Sequence, residues 1–399
     1  MSGARRDGRV LALLGIVLLS LGMRSATTSF TPLYARISDD VVLGAVVLGT
    51  VGALAPLAFA AAGALTPALA RRLGVESALV VAIAAIVLGQ VARALAVEAT
   101  GIVVATAVTM LGIGVGNVLL PSVAKRYFAD RIGIVTSVYI TLFAIGGASP
   151  AFLSVPLSDA LGWRVTLGLW AVTVALAAAP WIALHVRSRA LVPEVPETPV
   201  GGATRLTRSP LAWALAVVLW SSAMVGYGGA AWLPLILTAR AGLDDAAAGA
   251  HLGLALLVGI PGSLLVPLIS ARPAFAAVIV AIAGATATAG WIGLLAAPAA
   301  APALWCVLLG LGALTFPMMF VQLAVRSRTP ETTVRLSSFV QTFAYVATGL
   351  LVFALGPLHD ATGDWTAPIV VMLVVATLPL LAVPVIARPG RVDDPRPDA

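Results

Sequence analysis

Apolar windows of about 20 residues recur along the whole chain, each closed by a short polar stretch, and that is the length of α-helix a bilayer requires. They fall near 10 to 34, 41 to 69, 77 to 97, 102 to 121, 132 to 156 and 165 to 186, then near 211 to 238, 248 to 270, 274 to 297, 303 to 324, 334 to 356 and 367 to 388. The pattern predicts an all-α integral membrane protein with twelve transmembrane helices. The longest hydrophilic segment, His185 to Pro210, divides the windows evenly. The expected organisation is an N-terminal six-helix bundle over 1–186, a cytoplasmic linker over 187–210, a C-terminal six-helix bundle over 211–388 and a cytoplasmic tail over 389–399.

The halves repeat each other. Pro156-Leu-Ser-Asp-Ala-Leu-Gly162-Trp163 returns as Pro357-Leu-His-Asp-Ala-Thr-Gly363-Asp-Trp365, and Leu111-Gly-Ile-Gly114 returns as Leu309-Gly-Leu-Gly312. Thr31-Pro-Leu with Asp39-Asp40 answers Leu233-Pro-Leu with Asp244-Asp245. A repeat of an even number of helices gives both halves the same orientation about an axis along the membrane normal, as in two-half secondary transporters, with the cavity expected between them.

Composition agrees with the pattern: 60% of residues are hydrophobic, 10% are charged and the mean hydropathy is +1.04, too few charges to cover a water-soluble domain. The net charge of +7 raises the possibility of a nucleic-acid partner until its distribution is followed. Arg5, Arg6, Arg9, Arg71, Arg72, Lys125, Arg126, Arg131, Arg187, Arg189, Arg205, Arg208, Arg272, Arg326, Arg328, Arg335, Arg388, Arg391 and Arg396 fall in alternate loops or termini, whereas the other side has only Arg36, Arg164, Arg240 and Arg93 near a helix end. The bias reports topology, with both termini cytoplasmic, and no nucleic-acid partner is expected. The first window is too long for a signal-peptide core and no Ala-x-Ala site follows it, so it is expected to be retained. Arg far outnumbers Lys and Ala is abundant, which suggests a GC-rich prokaryotic gene and the bacterial cytoplasmic (plasma) membrane.

One charge changes the picture. Arg24 lies inside the first window, roughly 15 Å of helix from its far end if that helix runs to Tyr34, too deep to reach water. A charge near the bilayer centre costs about 3 kcal/mol, so it should face a bundle interior or a watered cavity. Every acidic residue falls in a loop or at a helix end, so no carboxylate is expected to neutralise it. Its counter-charge is then a helix C-terminus, polar side chains or a bound anion. Ser20, Thr27, Thr28 and Thr31 share its helical face. Ser338, Gln341, Tyr345 and Thr348 make a second polar stripe, and Asn117, Tyr139, Tyr227 and Trp232 add further polar or aromatic groups within spans. Each of these could equally serve helix packing.

No nucleophile with a base, no cluster of metal-ligating residues and no phosphate-cradling loop occurs; His251 and His359 stand alone, and Cys306 can form no internal disulfide. An enzyme, a cofactor and an ATP-driven pump are not expected.

Met23-Arg24 with Pro32-Leu33, Gly114 and Asn117-Val-Leu-Leu-Pro121 with Lys125-Arg126-x-Phe128, then Gly162-Trp163-Arg164, Tyr227 with Ala231-Trp-Leu-Pro234, Gln341 with Tyr345, and Gly356-Pro357 resemble the cyanate and 2-nitroimidazole permease branch of the major facilitator superfamily. The resemblance implies two six-helix bundles, alternating access and a small polar or anionic substrate. With the polar stripes and aromatic groups within the spans, this makes Arg24, Thr28, Asn117, Tyr139, Tyr227, Gln341 and Tyr345 the candidate substrate contacts. Arg71, Arg72, Lys125 and Arg126 become candidates for the cytoplasmic gate, although they could merely set topology. The expected partners are that substrate and the lipid bilayer, with the protein a monomer. A neutral-drug exporter of the same fold and a non-transporting membrane receptor are the alternatives.

Overall fold

The computed structural model describes residues 2–30, 33–41, 45–191 and 206–394. Among them every regular element is helical. In order these are α1 (Ser2–Thr28), α2 (Tyr34–Asp40), α3 (Ala45–Leu73), α4 (Val75–Leu95), α5 (Ala99–Phe128), α6 (Ile132–Leu161), α7 (Trp163–Ala175) and α8 (Ala178–Leu191). The order continues with α9 (Pro210–Ala223), α10 (Gly229–Ala241), α11 (Asp245–Ile269), α12 (Pro273–Ala296), α13 (Pro302–Gly312), α14 (Thr315–Val325), α15 (Pro330–Thr362) and α16 (Thr366–Ala387). Eleven stretches of the described residues are long and apolar enough to cross a membrane, and the remaining predicted window falls on the 30-residue helix α6.

The chain divides into two compact units, Met1–Thr204 with Thr329–Ser338, and Arg205–Arg328 with Phe339–Ala399. The second boundary falls inside α15. Of the expected linker, α8 runs on to Leu191 and α9 begins at Pro210, while 192–205 lie outside the described residues, as do 395–399 of the tail.

Small residues set the helix spacing within each unit. A Cβ on Gly112 would lie 2.7 Å from the Ala82 carbonyl oxygen, so α4 and α5 touch backbone to backbone. Gly146 of α6 faces the Leu21 carbonyl of α1 with no room for a methyl group. In the second unit Gly310 of α13 faces the Ala255 carbonyl of α11 in the same manner. Helix association in lipid has little hydrophobic drive, and such close approaches supply the van der Waals contact instead.

The repeat seen in sequence closes equivalent helices. Gly162 follows α6 with φ +80° and Gly363 follows α15 with φ +75°, the left-handed turn that glycine adopts without steric cost. Each turn is held by a tryptophan and an aspartate. Trp163 donates its indole N–H to Asp40 at 2.9 Å, and Asp40 also pairs with Arg164. Asp364 accepts from the backbone N–H and the hydroxyl of Thr366, both at 2.9 Å, while Trp365 stacks on His359.

Three expected spans differ in detail. The first helix ends at Thr28 rather than continuing to Tyr34. Thr28 turns its hydroxyl onto the Arg24 carbonyl at 2.9 Å, and a proline at position 32 has no N–H for the carbonyl one turn before it. Arg24 therefore stands one turn from the helix end, shallower than a helix to Tyr34 implies. The seventh span is interrupted by a π-helical turn, Met224–Gly228, between α9 and α10, and the tenth breaks at Ala313 and Leu314 between α13 and α14. Arg93 stands in the last turn of α4, near the helix end as expected, but is fully buried rather than solvated.

Candidate functional site

In the first unit α1 brings Arg24 against α6. A Cβ on Gly147 would lie 4.0 Å from the Arg24 Cβ, and Thr28 donates to the Gly147 carbonyl at 3.0 Å, so the glycine pair at 146 and 147 seats the α1 turn that carries the arginine. The Arg24 guanidinium carbon lies 5.3 Å from the centroid of the Phe143 ring, within cation–π range. Phe143 meets Tyr139 edge to face at 5.8 Å, and Tyr139 is fully buried. Arg24 itself is half-buried, and among the described residues no hydrogen bond or ion pair joins its guanidinium to another group. Thr28 commits its proton to two carbonyls and keeps only oxygen lone pairs for any other contact.

Asn117 lies on the turn of α5 that packs on the same part of α1: a Cβ on the preceding Gly116 would lie 2.9 Å from the Met23 sulfur. Asn117 is buried, 8% exposed. One cation, one aromatic pair and one amide thus gather around the end of α1, within a single unit. Phe143, the ring that faces Arg24, was not singled out from sequence. Its position one helical turn after Tyr139 is the signal that finds it.

The second unit holds a different set. Tyr227 sits on the π-helical turn and meets Tyr345 of α15 edge to face, 6.2 Å between centroids. Gln341 lies one turn before Tyr345 on α15, and both are buried. The π-helical turn holds Gly226 and Gly228, and Gly229 follows it at the start of α10; Gly226 and Gly229 border an apolar cavity of about 70 Å³. No formal charge belongs to this cluster.

The basic residues at the helix ends take separate places. Arg71 and Arg72 are exposed in the last turn of α3. Lys125 is half-buried in the last turn of α5, and Arg126 beside it pairs through Nε with Glu76 at 3.3 Å, where the Tyr127 hydroxyl also donates at 2.7 Å. In the second unit Arg326 is buried and donates to the carbonyls of Arg388 at 2.8 Å, Gly390 at 3.0 Å and Ile386, closing the C-terminal end of α16. Among the described residues no three His, Cys, Asp or Glu side chains gather as a metal set.

Comparison with known proteins agrees with this architecture. The family profile of the Major Facilitator Superfamily matches residues 149–352. An uncharacterized transporter of Bacillus subtilis, YycB, is 29% identical over 363 residues, which covers 90% of this chain and 89% of that one. The 2-nitroimidazole transporter of Escherichia coli is 29% identical over 387 residues, 93% of each chain. The cyanate transport protein CynX of the same organism is 29% identical over 224 residues, 54% of this chain and 56% of its own. Among solved structures, a bacterial homologue of the iron transporter ferroportin in an outward-facing state superposes with a TM-score of 0.73 at 18% identity, covering 96% of this chain and 99% of that one.

Proposed function

The chain belongs to the Major Facilitator Superfamily, is a multi-pass membrane transporter rather than an enzyme, and on that premise we propose that it carries a small anion or a small polar nitrogen compound, cyanate-like or nitroimidazole-like, by alternating access. The observation that carries the reading is Arg24: a guanidinium within a membrane helix, facing an aromatic ring, with no acceptor or carboxylate of its own among the described residues. A cation so placed is costly until something neutralises it, and a substrate able to do so lowers that cost. Anionic or electron-rich substrates meet this need, and cations do not.

In this reading Arg24 anchors the substrate electrostatically. Thr28, Asn117 and Tyr139 in the first unit, and Tyr227, Gln341 and Tyr345 in the second, contact it during transport. Arg71, Arg72, Lys125 and Arg126 act at the cytoplasmic face, where both termini also lie. The protein works as a monomer in the bacterial cytoplasmic membrane, with its bundles and linker divided as the hydropathy pattern predicts.

The experiment is uptake of radiolabelled cyanate and of 2-nitroimidazole into proteoliposomes holding the purified protein or its Arg24→Gln variant. Flux of cyanate by the wild type and its loss in the variant is the expected result. Flux of neither compound, with the protein correctly reconstituted, removes the proposed substrate class.

A further inference from the structure

A second arginine is buried close to the first. Arg93 on α4 is 0% exposed, yet among the described residues no carboxylate pairs with it. Its Nη2 donates to the Ala26 carbonyl at 3.0 Å, to the Ser29 hydroxyl at 3.4 Å and to Gln90 Oε1 on the preceding turn. The guanidinium carbon lies 5.5 Å from the centroid of the Phe30 ring. Its Nε and Nη1, and Gln90 Nε2, have no partner among the described residues. For stability alone this is a poor arrangement, because a buried cation with unmet donors is worse than an apolar side chain of similar size.

What the arginine touches gives it a purpose. Ala26 lies in the last turn of α1, whose carbonyls lack intrahelical partners and carry the negative end of the helix dipole. Ala26 is two residues beyond Arg24, about 200° round the helix, so Arg93 grips α1 on the side away from Arg24. The opposite side is seated by Gly146, Gly147 and Phe143 of α6. The end of α1 is thus clamped between a cation on α4 and the glycine pair of α6, while its terminal partial charge is taken up by Arg93.

We propose that Arg93 is a positioning residue for Arg24: it fixes the height and rotation of the last α1 turn and balances its carbonyl end, so that the Arg24 guanidinium, which has no acceptor among the described residues, stays directed at substrate. Replacing Arg93 leaves every atom of Arg24 in place but frees the turn that aims it. The loss should fall on ligands that need the guanidinium, and spare those that do not.

This inference rests on the reading of Arg24 as an anion anchor, and the test separates the two. Binding of cyanate and of neutral 2-nitroimidazole is measured in detergent on the full chain, for wild type, Arg24→Gln, Arg93→Met, Arg93→Lys and the double variant Arg24→Gln/Arg93→Met. Arg93→Met is expected to weaken cyanate, whose full charge leans on the guanidinium, roughly tenfold, and neutral nitroimidazole, which offers only a dipole, clearly less, as coupling between residues of one network allows. Arg93→Lys, which keeps one charged donor for the Ala26 carbonyl, should recover part of the loss. The double variant should be no weaker than Arg24→Gln alone. If Arg93→Met does not fold, the lysine variant decides: cyanate weakened selectively supports the proposal, and affinities equal to wild type overturn it. Cyanate binding lost in Arg24→Gln but kept in Arg93→Met overturns the positioning role and leaves the anchor standing. Equal losses of both ligands in Arg93→Met mark a purely structural arginine. Unchanged cyanate binding in Arg24→Gln removes the anchor itself.

Discussion

The two units share a plan and differ in what they keep inside. Each closes a long helix with a left-handed glycine, Gly162 or Gly363, followed by a tryptophan held near an aspartate. Each packs one pair of helices through a glycine against a carbonyl, Gly146 on Leu21 and Gly310 on Ala255. The interiors then diverge. The first unit holds one half-buried and one buried guanidinium, Arg24 and Arg93, near the end of one helix, whereas the second places Tyr227, Tyr345 and Gln341 around a π-helical turn with no charge among them. Repetition of the frame builds a bundle, and the candidate substrate contacts lie where the two units depart from the repeat.

The shared frame should fail first and alike in both units. Gly146→Val pushes a branched side chain into the Leu21 carbonyl, and Gly310→Val does so against Ala255; each is expected to cost about 3 kcal/mol or to prevent recovery of folded protein. Size-exclusion profiles and melting in detergent measure this. A mild effect at one glycine and a severe one at the other would show that the close approaches are not equivalent.

The ends of the bundles sharpen the contrast on a smaller scale. Arg326→Gln strips three carbonyls at the end of α16 of a buried charged donor and should cost about 2 kcal/mol. Glu76→Gln leaves Arg126 unpaired, but Arg126 is 40% exposed and water takes over, so about 1 kcal/mol is expected. Thermal melts of the two variants side by side should keep that order.

The smallest effect concerns acid. The Trp163 indole N–H and the Arg164 guanidinium hold the Asp40 carboxyl below its ordinary range, and the Thr366 backbone N–H and hydroxyl do so for Asp364. A carboxylate with a lowered value contributes stability that is present above the unfolded value and lost as pH falls through the folded one. Both sites are exposed, so only a shallow loss below about pH 4 should follow, and Asp40→Asn should flatten its share of it. A series of melts from neutral to acid pH reads this directly.

Much of the frame was legible in the sequence, because helix length, loop composition and turn glycines are local properties. The repeat Pro156 to Trp163 and Pro357 to Trp365 identified equivalent turns before any coordinate, and Arg24 stood out because a charge inside an apolar window is rare. Its surroundings were less legible. The first span is extended past Thr28 because hydropathy does not register that a proline at position 32 withholds the N–H the Thr28 carbonyl would need. The π-helical turn was missed because one extra residue shifts a helical face without changing its composition; the glycines at 226, 228 and 229 were the available signal. Arg93 stands near its helix end as expected, but its burial is not legible in the sequence, for a physical reason. Counting charges by membrane side treats a basic residue near a window's end as solvated, yet here the end of α1 reaches over it and removes it from water.

Whether the Arg24 guanidinium, which has no acceptor among the described residues, binds anions decides between a transport role and a structural one. The most direct measurement is the thermal stability of the purified protein in detergent as cyanate is titrated, for wild type and Arg24→Gln in parallel. A ligand at about a hundred times its dissociation constant stabilises by about 2.7 kcal/mol, enough to move the melting temperature by several degrees. Such a rise is expected in the wild type and none in Arg24→Gln. Equal stabilisation of both proteins would contradict it and leave Arg24 a structural residue.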